Sequence, residues 1–192
     1  MIVHSIHPAR LAESERGANL VRDTVRRALA RRGEEDDYRE KHALQIRRGP
    51  YVATRVMTES VSDQPVTVDG TYIDLFDAAL PIVRNPVVLP GAASLLYDLH
   101  YATTALAKVP GVAVSSSRIR DEKAGNGRLA FVSEAPAGIT VSTRLLLAKE
   151  PGRVTADGKE VTVRSWDPGS RTLLIRYDGV PEGTHILVEE ES

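Results

Sequence analysis

Residues 47–98 read RRGPYVATRVMTESVSDQPVTVDGTYIDLFDAALPIVRNPVVLPGAASLLYD. Four β-branched or alternating runs stand out in it, at 51–57, 65–68, 71–76 and 94–98. Turn formers separate them: Ser62-Asp63, Asp69-Gly70, Pro81, Asn85-Pro86 and Pro90-Gly91. Short strands about 8–12 residues apart, punctuated by Gly, Pro, Asn and Asp, predict an antiparallel sandwich or barrel.

The same grammar continues downstream. Strands are expected at 112–117, 129–134, 139–147, 153–156, 159–165, 171–177 and 185–189, ahead of the solvated tail EEES. Asp157-Gly158 is the strongest hairpin signal, because a type I′ turn needs positive φ at both central residues. Asp167-Pro168-Gly169 marks a second reversal. Pro110-Gly111 divides the two β-rich halves, and weak helical character at 100–108 falls at their seam.

Upstream, a run at 42–48 leads as a strand into Gly49-Pro50. A short strand is expected at 2–6, then a break at His7-Pro8 and a helix over 15–32. Ala18, Val21, Val25 and Leu29 recur at helical spacing. Ser14 suits the N-cap, with Glu13 and Glu15 at the positive end of the dipole. Arg26, Arg27, Arg31 and Arg32 lie toward the negative end, and Gly33 suits C′. One strand and one helix cannot close a core, so residues 1–33 read as a docking element or as the tail end of a larger α/β domain. Residues 34–40 (EEDDYRE) form an acidic connector. The expected fold is therefore mainly β: two antiparallel β-sandwich modules, 41–109 and 110–192, preceded by a strand, one amphipathic α-helix and a linker over 1–40.

The bulk numbers fit a globular chain. Its 192 residues are 42% hydrophobic and 27% charged, and 25 basic against 26 acidic side chains give a net charge of −1. No overall field draws it to nucleic acid or anionic membrane. With no cysteine there is neither a disulfide scaffold nor a thiolate metal site. No run approaches the roughly 18 apolar residues of a membrane span. The opening MIVHSIHPARL lacks the basic and apolar regions of a signal peptide, so with Met1 as a native start a cytoplasmic setting is expected.

Candidate chemistry is sparse. His4 and His7 form an H-x-x-H, yet on a strand-to-loop segment the two rings do not share a helix face, and zinc wants three or four ligands. Glu59, Asp63, Asp69, Asp74 and Asp77 cluster in the central stretch. A glycosidase needs two such groups roughly 5 or 6.5–9.5 Å apart, one with a raised pKa; turn and cap roles explain these acids better. Ca²⁺ held by loop oxygens is the cofactor alternative, and otherwise no cofactor or metal is expected. Arg47 and Arg48 precede the corner Gly49-Pro50. Strand alternation sends them to opposite faces, where one could pair with Glu59 or Asp74, or bind an anion. Neither a G-x-S-x-G elbow nor a P-loop is present. Aromatics are few, with one Trp, two Phe and six Tyr. Trp166, beside the turn at Asp167, is the stacking candidate, although packing within the hairpin is the favoured role for it. Ligand-binding candidates are thus Trp166, Arg47, Arg48, Asp74 and Asp77, with no catalytic residue.

Several segments resemble the closing β-sandwich regions of bacterial glycoside hydrolases of the β-galactosidase type. Residues 67–76 (TVDGTYIDLF) are similar to a "G-x-hydrophobic-D-L" strand, and 88–91 (VLPG) with Leu95-Leu96 to an "L-x-P-G … L" closing pair. Residues 7–29 resemble the last strand and helix of the amidotransferase-like domain that often precedes such a sandwich. Residues 158–161, Trp166-Asp167 and Thr172-Leu173 resemble a further C-terminal sandwich. The resemblance implies an accessory region that braces a catalytic barrel and sometimes joins subunits. Those enzymes keep their acid and nucleophile on a (β/α)₈ barrel, which this sequence does not show, so no catalytic residue is carried over. Expected partners are a catalytic domain or subunit of a glycosidase, or a second copy through 1–33. A carbohydrate-binding module and a small glycosidase using the loop carboxylates are the alternatives.

Overall fold

The structure is a computed structural model that describes residues 6–7, 10–11, 13–34, 38–58 and 62–190. Apart from Ile6, the strand expected at 2–6 lies outside the described residues, as do His4 and Glu59. The chain divides into two compact units, Met1–Lys41 and His42–Ser192. Among the described residues no helix is long and apolar enough to cross a membrane.

In the first unit helix α1 spans Glu15–Ala30. Ser14 caps it, its hydroxyl accepting from the Gly17 amide at 3.1 Å, and Gly33 adopts φ 72° just past its end. Gly17 is required for packing as well. A Cβ there would sit 2.0 Å from the Leu11 carbonyl oxygen, so only glycine lets that segment lie on the helix. Arg22 pairs with Glu40 at 3.0 Å, and Arg26 stacks 5.0 Å above the Tyr38 ring. Of the stripe that periodicity picked out, Val21 and Val25 are exposed while Ala18 and Leu29 are half-buried; Leu20 beside it is exposed as well.

The second unit is a stack of antiparallel sheets. The first holds β1 (Ala43–Arg48), β2 (Tyr51–Val56), β4 (Thr71–Asp74), β5 (Ile82–Arg84) and β7 (Ala93–Asp98), in the order β1-β2-β7-β4-β5. A ribbon of β3 (Val66–Thr67) and β6 (Val87–Val88) helps to cover one of its faces. Val52, Val56, Tyr72 and Leu96 pack there against Val68 and Val88. Helix α2 (Leu99–Thr104) follows β7, capped by Asp98, whose Oδ1 accepts from the Tyr101 amide at 2.9 Å.

The middle sheet has the order β14-β15-β11-β8, from β8 (Gly111–Ser115), β11 (Thr140–Leu146), β14 (Arg164–Asp167) and β15 (Thr172–Asp178). The outer sheet, β13-β12-β16-β10-β9, comprises β9 (Arg118–Gly125), β10 (Arg128–Glu134), β12 (Pro151–Ala156), β13 (Lys159–Glu160) and β16 (Thr184–Glu190). Six of the seven residues of β11 are buried because both of its faces are covered. Val141 and Leu145 face Leu129, Phe131 and Ile186 of the outer sheet. On the opposite side Leu146 joins Ile73, Leu80, Tyr97 and Leu99 of the first half.

Most expected strands form, and Asp157 (φ 49°) and Gly158 (φ 77°) make the expected positive-φ hairpin. The run expected at 159–165 is split instead. β13 pairs with β12 and β14 with β15, so the chain changes sheets around the buried Val161. β9 is an addition. Its segment RIRDEKAG shows no apolar alternation and is extended because it pairs along β10.

Two polar features run through the stack. A chain of hydroxyls links Ser133, Ser117, Ser115, Thr143 and Tyr177 at 2.7–2.9 Å, joining the outer sheet to the middle one. Between the first and middle sheets lies the buried Arg144. Its Nε donates to the Leu80 carbonyl at 2.8 Å and its Nη1 to Thr172 Oγ1 at 2.9 Å. Burial pushes the Arg144 pKa down, and the nearby Asp167 charge offsets part of that shift.

Candidate docking surface

The first sheet is covered over only part of its second face. Register places Leu44, Ile46 and Arg48 of β1 beside Arg55, Ala53 and Tyr51 of β2. These continue to Ala93, Leu95 and Tyr97 of β7. The row is thus one face, by the period-two rule. Its Tyr97 end is buried against the middle sheet, together with Ile73. Its Leu44 end is open: Leu44 is 59% and Ile46 57% exposed.

A loop adds a second wall. The Leu75 amide donates to the Leu95 carbonyl at 2.9 Å, and Asp74 Oδ1 then accepts from the Phe76 amide at 2.9 Å. Asp77 Oδ1 accepts from the Ala79 amide at 2.8 Å. These two Asx turns end the strand at Asp74, two residues before the expected end at Phe76. They hold Phe76 out at 66% exposure. The far end of the loop is pinned by Arg144 on the Leu80 carbonyl. Leu80 sits at φ 50°, a backbone conformation that costs a branched residue about 1–2 kcal/mol. A groove of about 200 Å³ results, bounded by Leu44, Ile46 and Phe76 over a floor of Ala53, Ala93 and Leu95.

The sequence candidates fall in different places. Asp74 and Asp77 shape the Phe76 loop. Arg48 flanks the open face, with no ion pair among the described residues, as does Arg55. Arg47 turns to the opposite face and pairs with Asp98 at 2.7 Å, a partner other than the expected Asp74. That hydrogen bond raises the Arg47 pKa against the effect of burial. The pair ties the edge strand across β2 to β7. Trp166 is half-buried and packs on the core between the middle and outer sheets. Its neighbour Asp167 pairs with Arg84 of the first sheet at 2.9 Å. The Ser170 hydroxyl at 2.5 Å, and then Arg84, lower the Asp167 pKa. Among the described residues no three His, Asp or Glu side chains converge as metal ligands.

The geometry shows a mainly β unit with an apolar groove open on one sheet. No family model matches the chain, and no curated protein matches it significantly. Among solved structures it is similar to a GH31 dextranase of Flavobacterium johnsoniae complexed with isomaltotriose. That match has TM-score 0.37 and 11% identity, over 73% of this chain and 26% of the dextranase. It is also similar to the cycloalternan-forming enzyme of Listeria monocytogenes in complex with a pentasaccharide substrate. There the TM-score is 0.27 and the identity 11%, over 76% of this chain and 18% of that one. The chain therefore spans about a quarter or less of these two enzymes. At such low TM-scores the likenesses decide neither fold nor function.

Proposed function

We propose that the chain is a non-catalytic accessory region of a carbohydrate-active enzyme system, which acts by packing on a catalytic partner. The observation that carries the packing role is the half-covered sheet face, with Leu44, Ile46 and Phe76 projecting beside an apolar layer that is already buried. Apolar surface favours burial by about 25 cal/mol per Å², and contiguous exposed patches of this kind mark interaction sites. The tie to carbohydrate chemistry rests on the resemblance of residues 67–76, 88–96 and 158–173 to glycoside hydrolase sandwiches. The β-galactosidase-type kinship and the amidotransferase-like origin of residues 7–29 belong to the same proposal. So does a docking role for the open stripe of α1.

The test is to place a charge on the face in Ile46→Asp and Leu44→Asp. On a docking surface both variants keep the melting temperature within a few degrees and shorten retention on an apolar resin. A loss of several kcal/mol would make the face part of the folded core and sink the reading. Turnover of aryl glycosides that disappears in Asp74→Asn or Asp77→Asn would favour a hydrolase instead.

A further inference from the structure

We infer that the groove receives an amphipathic helix of a partner protein whose apolar stripe is flanked by carboxylates; the inference rests on the docking role proposed above. Three features point to this occupant.

Shape is the first. The wall of Leu44 and Ile46 stands on β1, and Phe76 follows β4, three strand positions away in the order β1-β2-β7-β4. At about 4.8 Å per strand the walls are roughly 14 Å apart, close to the 10–12 Å diameter of a helix. Between them the floor carries the small side chains of Ala53 and Ala93 beside Leu95, with Arg55 at one end, so a helix can lie along the strands. An added strand would pair with an edge instead of settling on a face.

Continuity is the second. Along β7 the same face runs from the exposed Ala93 through the half-buried Leu95 to the buried Tyr97, which packs on the middle sheet. A helix in the groove would extend an apolar layer already formed at that end.

Charge is the third. Arg55 lies across from Leu44, and Arg48 stands four residues along β1 from Leu44, on the same face. Arg55 therefore lines one end of the groove, and Arg48 lies beyond its other end, their strand positions about 13 Å apart. That matches two carboxylates some two and a half helical turns apart. A second copy packed face to face would bring four arginines together, so it is the poorer match.

The test uses two labelled synthetic helices with the 192-residue chain. Both carry a leucine stripe at i, i+3, i+4 and i+7; one has glutamates at both ends of the stripe and the other has lysines. Fluorescence anisotropy should show the glutamate helix binding about tenfold tighter, the worth of two partly exposed ion pairs. The preference should vanish near about 0.5 M salt and reverse in the double variant Arg48→Glu/Arg55→Glu. Ile46→Asp and Phe76→Ala should abolish binding of both helices at unchanged melting temperature. Equal affinity for the two helices, or a preference indifferent to the arginine reversals, overturns the carboxylate partner and leaves the docking face standing. Dimerisation that Ile46→Asp abolishes, with neither helix bound, assigns the groove to a second copy and also overturns the inference. Binding that survives both Ile46→Asp and Phe76→Ala, or no association of any kind, overturns the docking role as well.

Discussion

Arg144 is the residue on which two opposing effects meet. Taking a guanidinium out of water is costly, and an apolar replacement of a buried charge is often neutral or stabilising. Here, however, it satisfies the carbonyl of Leu80 and the hydroxyl of Thr172, and a buried unpaired acceptor costs about 1–3 kcal/mol. We expect Arg144→Met to destabilise by about 1–2 kcal/mol in denaturant unfolding, since the orphaned carbonyl outweighs the desolvation recovered. A gain in stability would reverse that ranking. Asp167 gives a pH-dependent counterpart. Its pKa is lowered in the fold, so its contribution is complete above the ordinary carboxylate range and is lost as pH falls through the depressed value. The melting-temperature gap between the native chain and Asp167→Asn should be present at neutral pH and close in acid. Burial pushes Tyr97 up to about 12, so ultraviolet titration should find one tyrosine ionising about two units after exposed ones. None of these roles was legible in sequence. Arg144 sits among Ser, Thr and Leu in a strand, and no local pattern says that its neighbour will be a carbonyl sixty-four residues away.

At the scale of elements, legibility follows how local the cause is. Helix α1 could be read because its cap, stripe and dipole charges lie within the same few residues. The hairpin at Asp157-Gly158 could be read for the same reason. β9 could not, because its extended form comes from the register with β10 rather than from its own charged residues. The docking groove was half legible. Alternation shows that Leu44 and Ile46 share a face, but whether that face is covered depends on where the middle sheet stops. Phe76 looked like the end of a strand until the Asp74 side chain closed the turn. Asp98 joins two elements, capping α2 and holding Arg47 of the edge strand. Asp98→Ala should therefore cost about 1 kcal/mol for the cap and a few tenths for the partly exposed pair. Asp98→Asn should retain most of the cap, and chemical denaturation of the two variants would separate the contributions. Equal losses would deny the cap its share.

For the whole second unit, one buried cluster joins residues from both sides of Pro110. Leu146 touches the first half while Thr143 and Leu145, on the same strand, face the outer sheet. Leu146→Ala should cost about 2–5 kcal/mol and lower a single unfolding transition spanning residues 42–192. Two transitions, with only one shifted, would show that the halves melt apart. The hydroxyl chain from Ser133 to Tyr177 bears on how this stack rejects wrong pairings. Were β11 to slip by one residue, Thr143 would leave its partners and Arg144 would swing into the hydrocarbon between the sheets. Neither error can be solvated there, so misaligned sandwiches make shallow traps. What looks like a polar blemish in the interior acts as an alignment key that a uniformly greasy core would lack.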